Sequence, residues 1–410
     1  MSSILDKLLK GQKVEWLPIE QVIKSLKTGL NPRKNFELNT PDAENFYVTV
    51  REIQNGKIVF IDKTDKVNDH GLKLINNRSN LEVGDILFSG TGTVGRTAVI
   101  LEEPKNWNIK EGVYVIKPEQ NKVTSKFLAY LLNSNHIIKI YEKKIVGSPV
   151  ISLPMAELKK IIVPIPPLDV QAEIVQILDA FTALTAELTA ELTMREKQYH
   201  YYRDNLLTFS DDEVEFLTLN EVAIDFGRGK SKHRPRNDER LYGGEIPFVQ
   251  TGDIRNAGHI LSSFTQTYSE FGLEQSKLWK KGTLCITIAA NIAETSILGF
   301  DACFPDSIIG FVANQNKTSE KYVEYLLSSL KSKLESKSTG SAQENLNLAA
   351  FSNLRLPFPS LEKQEKIIKI LENFETYTNS ITEGLPKEIA LRQKQYEYYR
   401  EQLLDFPKFS

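Results

Sequence analysis

Apolar residues recur along residues 168 to 209 at alternating spacings of four and three, which is the pattern of a long helix with one narrow buried stripe. Eight of the ten stripe positions are apolar, and they run through Ile174, Leu178, Phe181, Thr185, Leu188, Leu192, Arg195, Tyr199, Tyr202 and Leu206. A helix of about 40 residues extends about 60 Å at 1.5 Å per residue, which is longer than a globular domain needs. The pattern therefore predicts a helical spacer near the middle of the chain.

The sequence of this helix occurs twice. Residues from 164 read PIPPLDVQAEIVQILDAF, and residues from 357 read PFPSLEKQEKIIKILENF, at an offset of 193. Further along, KQYHYYR at 197–203 recurs as KQYEYYR at 394–400, at an offset of 197. Weaker matches precede each helix, such as Trp16-Leu17-Pro18-Ile19 with Phe216-Leu217-Thr218-Leu219. The repeat predicts two units, each an α/β domain followed by a long helix.

These matches predict five segments. They are an N-terminal helical segment that completes the repeat at 1–13, globular domains at 14–160 and 213–353, a central helix at 161–212, and a C-terminal helix at 354–410. Gly384-Leu385-Pro386 predicts a break in the last helix near residues 383–386. If a pseudo-two-fold axis relates the units, the long helices run antiparallel and their stripes bury against each other.

The globular domains have a β-rich pattern. Short β-branched or aromatic runs at 46–50, 57–61, 85–89, 97–101 and 113–117 are separated by turn-forming residues, and residues 125–142 favour a helix. The expected fold class is α/β in the α+β sense. Two β-rich domains are separated by a pair of long antiparallel coiled-coil helices.

Composition narrows the possible functions. Hydrophobic residues at 41% and charged residues at 25% are typical of a folded domain protein. The N-terminus has no signal-peptide pattern and no long apolar run occurs, which predicts a cytoplasmic protein without membrane association. Cys285 and Cys303 lack metal-ligand spacing, and the five histidines are scattered. The net charge of −2 requires any nucleic-acid binding to use local basic patches.

One motif resembles a cofactor loop, because Gly90-Thr91-Gly92-Thr93-Val94-Gly95 matches GxGxxG directly after a strand pattern. A dinucleotide loop must open a helix, whereas the following residues from Arg96 to Leu101 continue as a strand. The motif therefore predicts a hairpin loop. Its polar side chains, Ser89, Thr91, Thr93 and Arg96, suit contacts with phosphates and base edges.

Enzyme motifs find no support elsewhere. A loose nuclease pattern of Pro305-Asp306 with Glu335-Ser336-Lys337 places its second part in a predicted helix, although such a site needs a strand. The sequence has neither a P-loop nor the Pro-Pro-aromatic signature of amino-methyltransferases. No catalytic constellation or metal site is expected.

A basic segment stands out between residues 226 and 240, which contains six Lys or Arg residues and two acidic residues. Such a patch suits DNA phosphates, although a merely solvated loop stays open as the alternative. The first domain has a milder counterpart at residues 27–34. The candidate DNA-binding residues outside the hairpin are Arg33, Lys34, Arg228, Lys230, Lys232, Arg234, Arg236, Gln250 and Arg255.

The two KQYxYYR segments offer a second kind of candidate site. Tyr199 and Tyr202 belong to the apolar stripe, whereas Tyr201 lies off it, and Tyr398 is its counterpart in the second copy. We predict that Tyr201, Arg203, Tyr398 and Arg400 dock a partner protein, since exposed aromatic and arginine residues are common in interfaces.

Two dissimilar globular halves, each followed by a PxPxLxxQxxIxxxL helix that ends in KQYxYYR, resemble the specificity subunit of type I DNA restriction-modification systems. The resemblance covers essentially the whole chain and includes Gly147-Ser148 and Gly340-Ser341, each followed by Leu153 or Leu346. It implies a non-catalytic subunit whose two target-recognition domains, at 14–160 and 213–353, read a split sequence in double-stranded DNA.

The resemblance also implies partners. Two methyltransferase subunits would dock on the helices and modify adenine N6, and two motor-nuclease subunits would add restriction. S-adenosylmethionine would be bound by the methyltransferase, so that no cofactor is expected here. Two alternatives stay open, a coiled-coil adaptor that binds only proteins and a methyltransferase fused to a recognition domain.

The central helix contains a tandem tetrad, Thr185-Ala186-Glu187-Leu188 and Thr189-Ala190-Glu191-Leu192. Each tetrad adds about 6 Å of helix, a little under two base pairs of DNA. We hypothesise that the number of tetrads helps to set the spacing between the half-sites.

Overall fold

The computed structural model describes residues 4–33, 35–233, 235–288, 294–337, 353–379 and 384–407, which form two compact units. The first unit comprises Met1–Glu187 with Ile389–Ser410, and the second comprises Leu188–Glu388. Each unit contains one globular domain and parts of two long helices. Both the central and the C-terminal helical regions are therefore divided between the units.

The first unit is built on a four-stranded antiparallel sheet in the order Ile23–Thr28, Val113–Pro118, Ile86–Ser89 and Thr97–Val99. Its other strands are Glu15–Pro18, Asn45–Val48, Ile53–Gln54, Lys57–Ile58, Lys66–Val67, Trp107–Ile109 and Ile162–Ile165. Its helices before the central one are Ile4–Leu9, Asp69–Ser79, Ser125–Leu132, Asn135–Glu142 and Met155–Lys159, with 3-10 turns at Ile19–Gln21 and Val50–Glu52. One face of the sheet packs on these helices to form the main core.

Two helices of the first unit differ from the prediction. Asp69–Ser79 is a helix that the pattern did not indicate. Gly71 and the consecutive residues Asn76 and Asn77 interrupt its apolar periodicity. Gly71 packs so closely on Phe36 that an added Cβ would lie 3.2 Å from its ring. The single helix expected at 125–142 is two helices, since Ser134 caps the second one by accepting a hydrogen bond from the Ile137 N–H.

The second unit repeats the plan with a five-stranded sheet in the order Ala223–Arg228, Ile308–Ala313, Leu284–Thr287, Thr295–Leu298 and Ile260–Leu261. Its other strands are Glu215–Thr218, Tyr242–Phe248, Gln266–Tyr268 and Arg355–Phe358. Its helices are Thr251–Asn256, Glu270–Glu274 and Glu320–Lys337, with a 3-10 turn at Glu239–Leu241. In each unit the first strand pairs with the strand before a long helix, Glu15–Pro18 with Ile162–Ile165 and Glu215–Thr218 with Arg355–Phe358.

The central helix is continuous from Leu168 to Leu206. Its apolar stripe is buried at the two ends, where Ile174 and Leu178 join the first core and Tyr199 joins the second. The middle of the stripe is only half-buried at Leu188 and Leu192. Because the ends serve two different cores, the stripe is not one uniform seam.

The C-terminal region contains two helices, Leu361–Asn379 and Gly384–Leu404. The predicted break falls partly on residues 380–383, which lie outside the described residues. Gly384 begins the second helix with a φ of 75°, a conformation that favours glycine.

Equivalent aromatic pairs join the long helices inside each unit. Phe181 stacks on Tyr399 in the first unit with ring centroids 5.3 Å apart, and Tyr202 stacks on Phe374 in the second at 5.5 Å. The repeat relates these pairs, because Phe181 corresponds to Phe374 and Tyr202 to Tyr399. The pairs are compatible with the expected coiled coil, whereas its antiparallel course and the pseudo-two-fold axis stay predictions.

Candidate nucleic-acid interface

The strand order places the candidate loops of the first unit at one end of its sheet. Thr28 and Ser89 end their strands beside the start of Val113–Pro118, and Thr97 begins its strand at the same end. At the opposite end, the chain beyond Pro118 meets the central helix, because Gln171 donates a hydrogen bond to the Lys122 carbonyl. The loops therefore lie at the end of the sheet away from this helix anchor.

The glycine motif is a hairpin turn, as predicted, since Thr97–Val99 pairs antiparallel with Ile86–Ser89. One of its candidate residues needs correction. Ser89 is fully buried, and its hydroxyl donates to the Thr93 carbonyl at 2.5 Å and accepts from the Arg96 N–H at 2.8 Å. Because the hydroxyl is buried and both donates and accepts a hydrogen bond inside the turn, Ser89 shapes the hairpin and is not available at the surface.

Hydrogen bonds bring the hairpin next to the loop that holds Arg33. The Gly90 N–H donates to the Gly112 carbonyl, and the Gly112 N–H donates to the Thr28 hydroxyl. Asn31 donates to the Glu111 carboxylate at 2.9 Å, which ties the second loop to the same turn.

The candidate side chains of the first unit are mostly accessible. Arg33, Thr93 and Arg96 are exposed, and Thr91 is half-buried. The Arg96 guanidinium donates to the Val50 carbonyl at 3.1 Å, which holds it at the base of the hairpin. Lys34 lies outside the described residues.

The second unit places its candidates at the equivalent end of the sheet. Arg228 and Thr287 end the two strands that flank Ile308–Ala313, and they lie opposite Ile309 and Ile308, respectively. Thr287 and Glu294 close the hairpin that corresponds to the glycine motif, with the Thr287 N–H donating to the Glu294 carbonyl. The turn itself, at 289–293, lies outside the described residues.

The basic segment begins in the strand Ala223–Arg228 and becomes a loop only afterwards, which corrects the expected start of the loop. Some of its charges are neutralised locally. Arg236 donates to both carboxylate oxygens of Asp306 at 3.0 Å, and Arg240 pairs with Asp238 at 2.7 Å. Hydrogen bonds from Arg240, and then from His233, hold the pKa of Asp238 well below its usual range, so this acid stays ionised.

Three exposed cations of this segment keep their charge available. None of the ion pairs within the described part of the chain involves Arg228, Lys230 or Lys232. Arg234 lies outside that part. The free cations therefore cluster where the strand ends, which is the position at which a phosphate group can approach.

Gln250 lies beside the same end of the sheet. The Val249 N–H donates to the Cys303 carbonyl and the Gly229 N–H to the Ile308 carbonyl, so both segments flank residues 303–308. The half-buried Gln250 amide donates to Gln266 at 3.0 Å, which orients it. Arg255 is exposed on the short helix Thr251–Asn256 that Gln250 caps.

The docking candidates divide into two kinds. Tyr201 and Tyr398 are exposed, at 67% and 61%, and occupy equivalent positions of the repeat. Arg203 is buried, bonded to Asp204 and Ser328, and the mostly buried Arg400 is bonded to Glu401. Burial corrects the prediction for Arg203, whose guanidinium is engaged inside its unit, whereas docking by Arg400 stays a prediction.

A cluster around His259 was not indicated by the sequence, because its members are far apart along the chain. The ring contacts Glu324 at 3.0 Å and Glu375 at 2.8 Å. Tyr199 and Tyr325 donate their hydroxyl hydrogens to the same Glu375. Hydrogen bonds to Glu324 and Glu375 raise the pKa of His259 to about 10, so it is an imidazolium at neutral pH.

The described residues do not form a metal site, a reactive cysteine site or a nuclease site. Among the described residues, no three His, Cys, Asp or Glu side chains are grouped as a metal site would require. Burial raises the pKa of the Cys285 thiol, which lies in a smaller apolar cluster of the second unit. Asp306 pairs with Arg236, and residues 335–337 lie in the helix Glu320–Lys337, so the loose nuclease pattern does not form a site. No helix in the described ranges combines the length and apolarity that crossing a membrane requires.

Comparisons with known proteins agree on one family. The family model of the type I restriction modification DNA specificity domain matches residues 13–194 and 211–391. The EcoR124I/EcoR124II specificity subunit of Escherichia coli is 34% identical over an alignment of 433 positions, which covers 99% of this chain and 98% of that protein. A putative specificity subunit of Haemophilus influenzae is 32% identical, with 98% of each chain covered. The HsdS subunit of Thermoanaerobacter tengcongensis shares the fold, with a TM-score of 0.53, 15% identity and 96% of each chain covered.

Proposed function

Because this chain belongs to the family of type I restriction-modification DNA specificity subunits, we propose that each of its two units reads one half of a split DNA sequence. The chain is the subunit that determines DNA sequence specificity, and it is not itself an enzyme. Its partners are DNA and the methyltransferase and restriction subunits of such a system.

The observation that carries the proposal is the common placement of the candidate loops. In both units they leave the same end of the central sheet, away from the helix anchor in the first unit. The loops differ in chemistry, with a Thr-rich hairpin in the first unit and a basic segment in the second. Different loops on one scaffold suit two different half-sites.

In this proposal, cations that contact phosphates position the DNA, and polar side chains that reach the groove discriminate bases. Arg228, Lys230 and Lys232 contact phosphates, which fixes register without reading sequence. Gln250 contacts base edges in the major groove, where a bidentate amide pairs with adenine. In the first unit, Thr91, Thr93 and Arg96 contact base edges, and Arg33 contacts the DNA backbone.

The assembly is the second part of the proposal. Two methyltransferase subunits dock on the helices, where Tyr201 and Tyr398 present equivalent exposed rings. Each carries S-adenosylmethionine, so this chain needs no cofactor, and two motor-nuclease subunits complete a cytoplasmic complex.

The test is a salt titration of DNA binding by the full-length chain, purified with its methyltransferase subunit. Lys230→Ala/Lys232→Ala should weaken binding and lower the slope of log Kd against log salt by about 2, since each phosphate contact contributes about 0.9.

Lys280→Ala/Lys281→Ala is the matched control. These lysines precede Leu284–Thr287, at the opposite end of the same sheet. Equal slopes of log Kd against log salt for the two double variants would show that the basic segment does not contact DNA. No binding of DNA by the unaltered complex would instead favour the protein-only adaptor.

A further inference from the structure

Residues 146–152 form a tight turn with an apolar surface. Val146 and Ser152 exchange two backbone hydrogen bonds, of 2.9 and 2.8 Å, which close the turn. Val146, Val150 and Ile151 are exposed at 56%, 63% and 39%. Exposing three aliphatic side chains on one turn to water costs free energy. An apolar surface of this kind is typical of a contact with another molecule. We call these three residues the aliphatic tip.

The aliphatic tip is attached to the hairpin of the first unit. The Gly92 N–H donates to the Ile151 carbonyl, and the Leu153 N–H donates to the Gly90 carbonyl, each at 2.8 Å. The hydroxyl groups of Thr91 and Ser152 are 3.1 Å apart. The tip therefore lies beside the Thr-rich hairpin, at the sheet end that carries the other candidate loops.

The base of the tip is rigid. The Tyr114 hydroxyl donates to the carbonyl of the fully buried Leu153 at 2.7 Å. The ring of Tyr114 also packs against Gly90, where an added Cβ would lie 2.2 Å from it. Because one ring fixes both the hairpin and the tip, little conformational entropy remains to be lost when the tip binds.

The chemistry of the tip selects one kind of DNA contact. Residues 145–153 contain no charged side chain, so they cannot neutralise phosphates. The apolar feature of a base edge in the major groove is the methyl group of thymine. Contact with it conveys sequence information without counterion release.

Resting on the proposed function, we propose that the aliphatic tip is a second base-reading element of the first unit, in which Val150 and Ile151 contact thymine methyl groups of its half-site. The hairpin and the tip form one surface, which reads base edges by polar and apolar contact.

The test pairs a protein change with a DNA change. Methylated-base sequencing of the host genome first gives the target, and the chain with its methyltransferase subunit is then titrated with target DNA that contains thymine or deoxyuridine. The unaltered complex should bind about fourfold more weakly for each contacted methyl group removed, from about 0.8 kcal/mol per buried carbon. Val150→Ser/Ile151→Ser should bind thymine DNA weakly, lose nothing further on deoxyuridine DNA, and keep the salt slope.

Leu101→Ser is the matched control. Leu101 is 60% exposed and follows Thr97–Val99 at the opposite end of the same sheet. It should keep both the affinity and the sensitivity to deoxyuridine. The single change Val150→Ala should leave the melting temperature unaltered and should weaken the binding of thymine DNA in part. It therefore distinguishes a lost contact from a loss of folding.

Three results would overturn the inference. They are equal affinity of the serine double variant and Leu101→Ser, undiminished sensitivity of the double variant to deoxyuridine, or its failure to co-purify with the methyltransferase, which would make the tip a protein interface. Failure of the unaltered complex to prefer its mapped target would instead overturn the proposed function.

Discussion

At the scale of single residues, His259 links three parts of the second unit. It precedes the strand Ile260–Leu261 of the globular domain, whereas Glu324 and Glu375 lie on two helices. Tyr199, on the central helix, completes the cluster through Glu375. The buried carboxylate of Glu324 would be costly without a cation beside it. His259 therefore fixes the recognition domain of this unit to its helices.

Stability should depend on the protonation of His259. Its pKa is about 10 in the folded chain and ordinarily 6.5, so the unfolded chain loses the proton first. The stabilisation is fully present below pH 6.5 and is lost as the pH rises to about 10. His259→Gln should lower the melting temperature at pH 6 by about 3 °C, since solvent screens this half-exposed ring.

Thermal unfolding of the two proteins between pH 6 and pH 10 measures this effect. The difference in melting temperature should shrink as the pH rises, while Tyr199 and Tyr325, whose pKa values are raised by burial, stay neutral over this range. His70→Gln is a control in the first unit, since His70 is exposed. A difference that stays constant with pH would mean that His259 acts by packing alone.

At the scale of elements, a buried glutamine fixes the start of each long helix. Gln171 donates to the Lys122 and Pro166 carbonyls at 2.8 Å and accepts from the Thr124 N–H at 2.9 Å. Gln364 donates to the Lys317 and Pro359 carbonyls in the same way and accepts from the Thr318 hydroxyl. One amide thus joins a sheet, a proline segment and a helix start in both units.

Gln171→Met should destabilise the first unit, because three backbone groups lose their partner inside the protein. The expected cost is about 3 kcal/mol, which lowers the melting temperature of this unit by roughly 6–12 °C. Differential scanning calorimetry measures it. Gln176→Met, an exposed position of the same helix, should change the melting temperature by less than about 2 °C. Equal shifts for the two variants would show that Gln171 is not an anchor.

At the scale of the whole molecule, two units of one plan present different loops. Repetition accounts for the shared sheet order, the paired first strands and the equivalent aromatic stacks. The units differ at the sheet end with the candidate loops, where the first unit has a Thr-rich hairpin and an aliphatic tip and the second has a basic segment. Such a molecule suits a target with two unlike halves.

The tandem tetrads belong to this scale, because the central helix contributes to both units. A variant with a third Thr-Ala-Glu-Leu tetrad after Leu192 should methylate the same half-sites with about two more base pairs between them. Methylated-base sequencing of a host that carries the variant measures the spacer. Thr189→Ala, which keeps the helix length, is the control. An unchanged spacer would show that the helix does not determine half-site spacing.

Several predictions depended on patterns that are local in the sequence, and these agree with the structure. The periodicity over residues 168–209 indicated the central helix to within three residues of its observed end, whereas the wider segment 161–212 also contains the strand Ile162–Ile165. Strand-forming residues after Gly95 indicated a hairpin in place of a cofactor loop. The helix Asp69–Ser79 was missed, since its stability comes from packing on Phe36 and Val67 more than from its own periodicity.

The sequence by itself determined the repeat, the long helix, the family and the charge of the basic segment, because each is a property of neighbouring residues or of their spacing. Only the tertiary structure decided which candidates remain available, because burial and pairing join segments far apart in the chain. Ser89 and Arg203 are engaged internally, whereas Val150 and Ile151 are exposed beside Thr91. His259 meets Glu375 only after folding has brought their elements together.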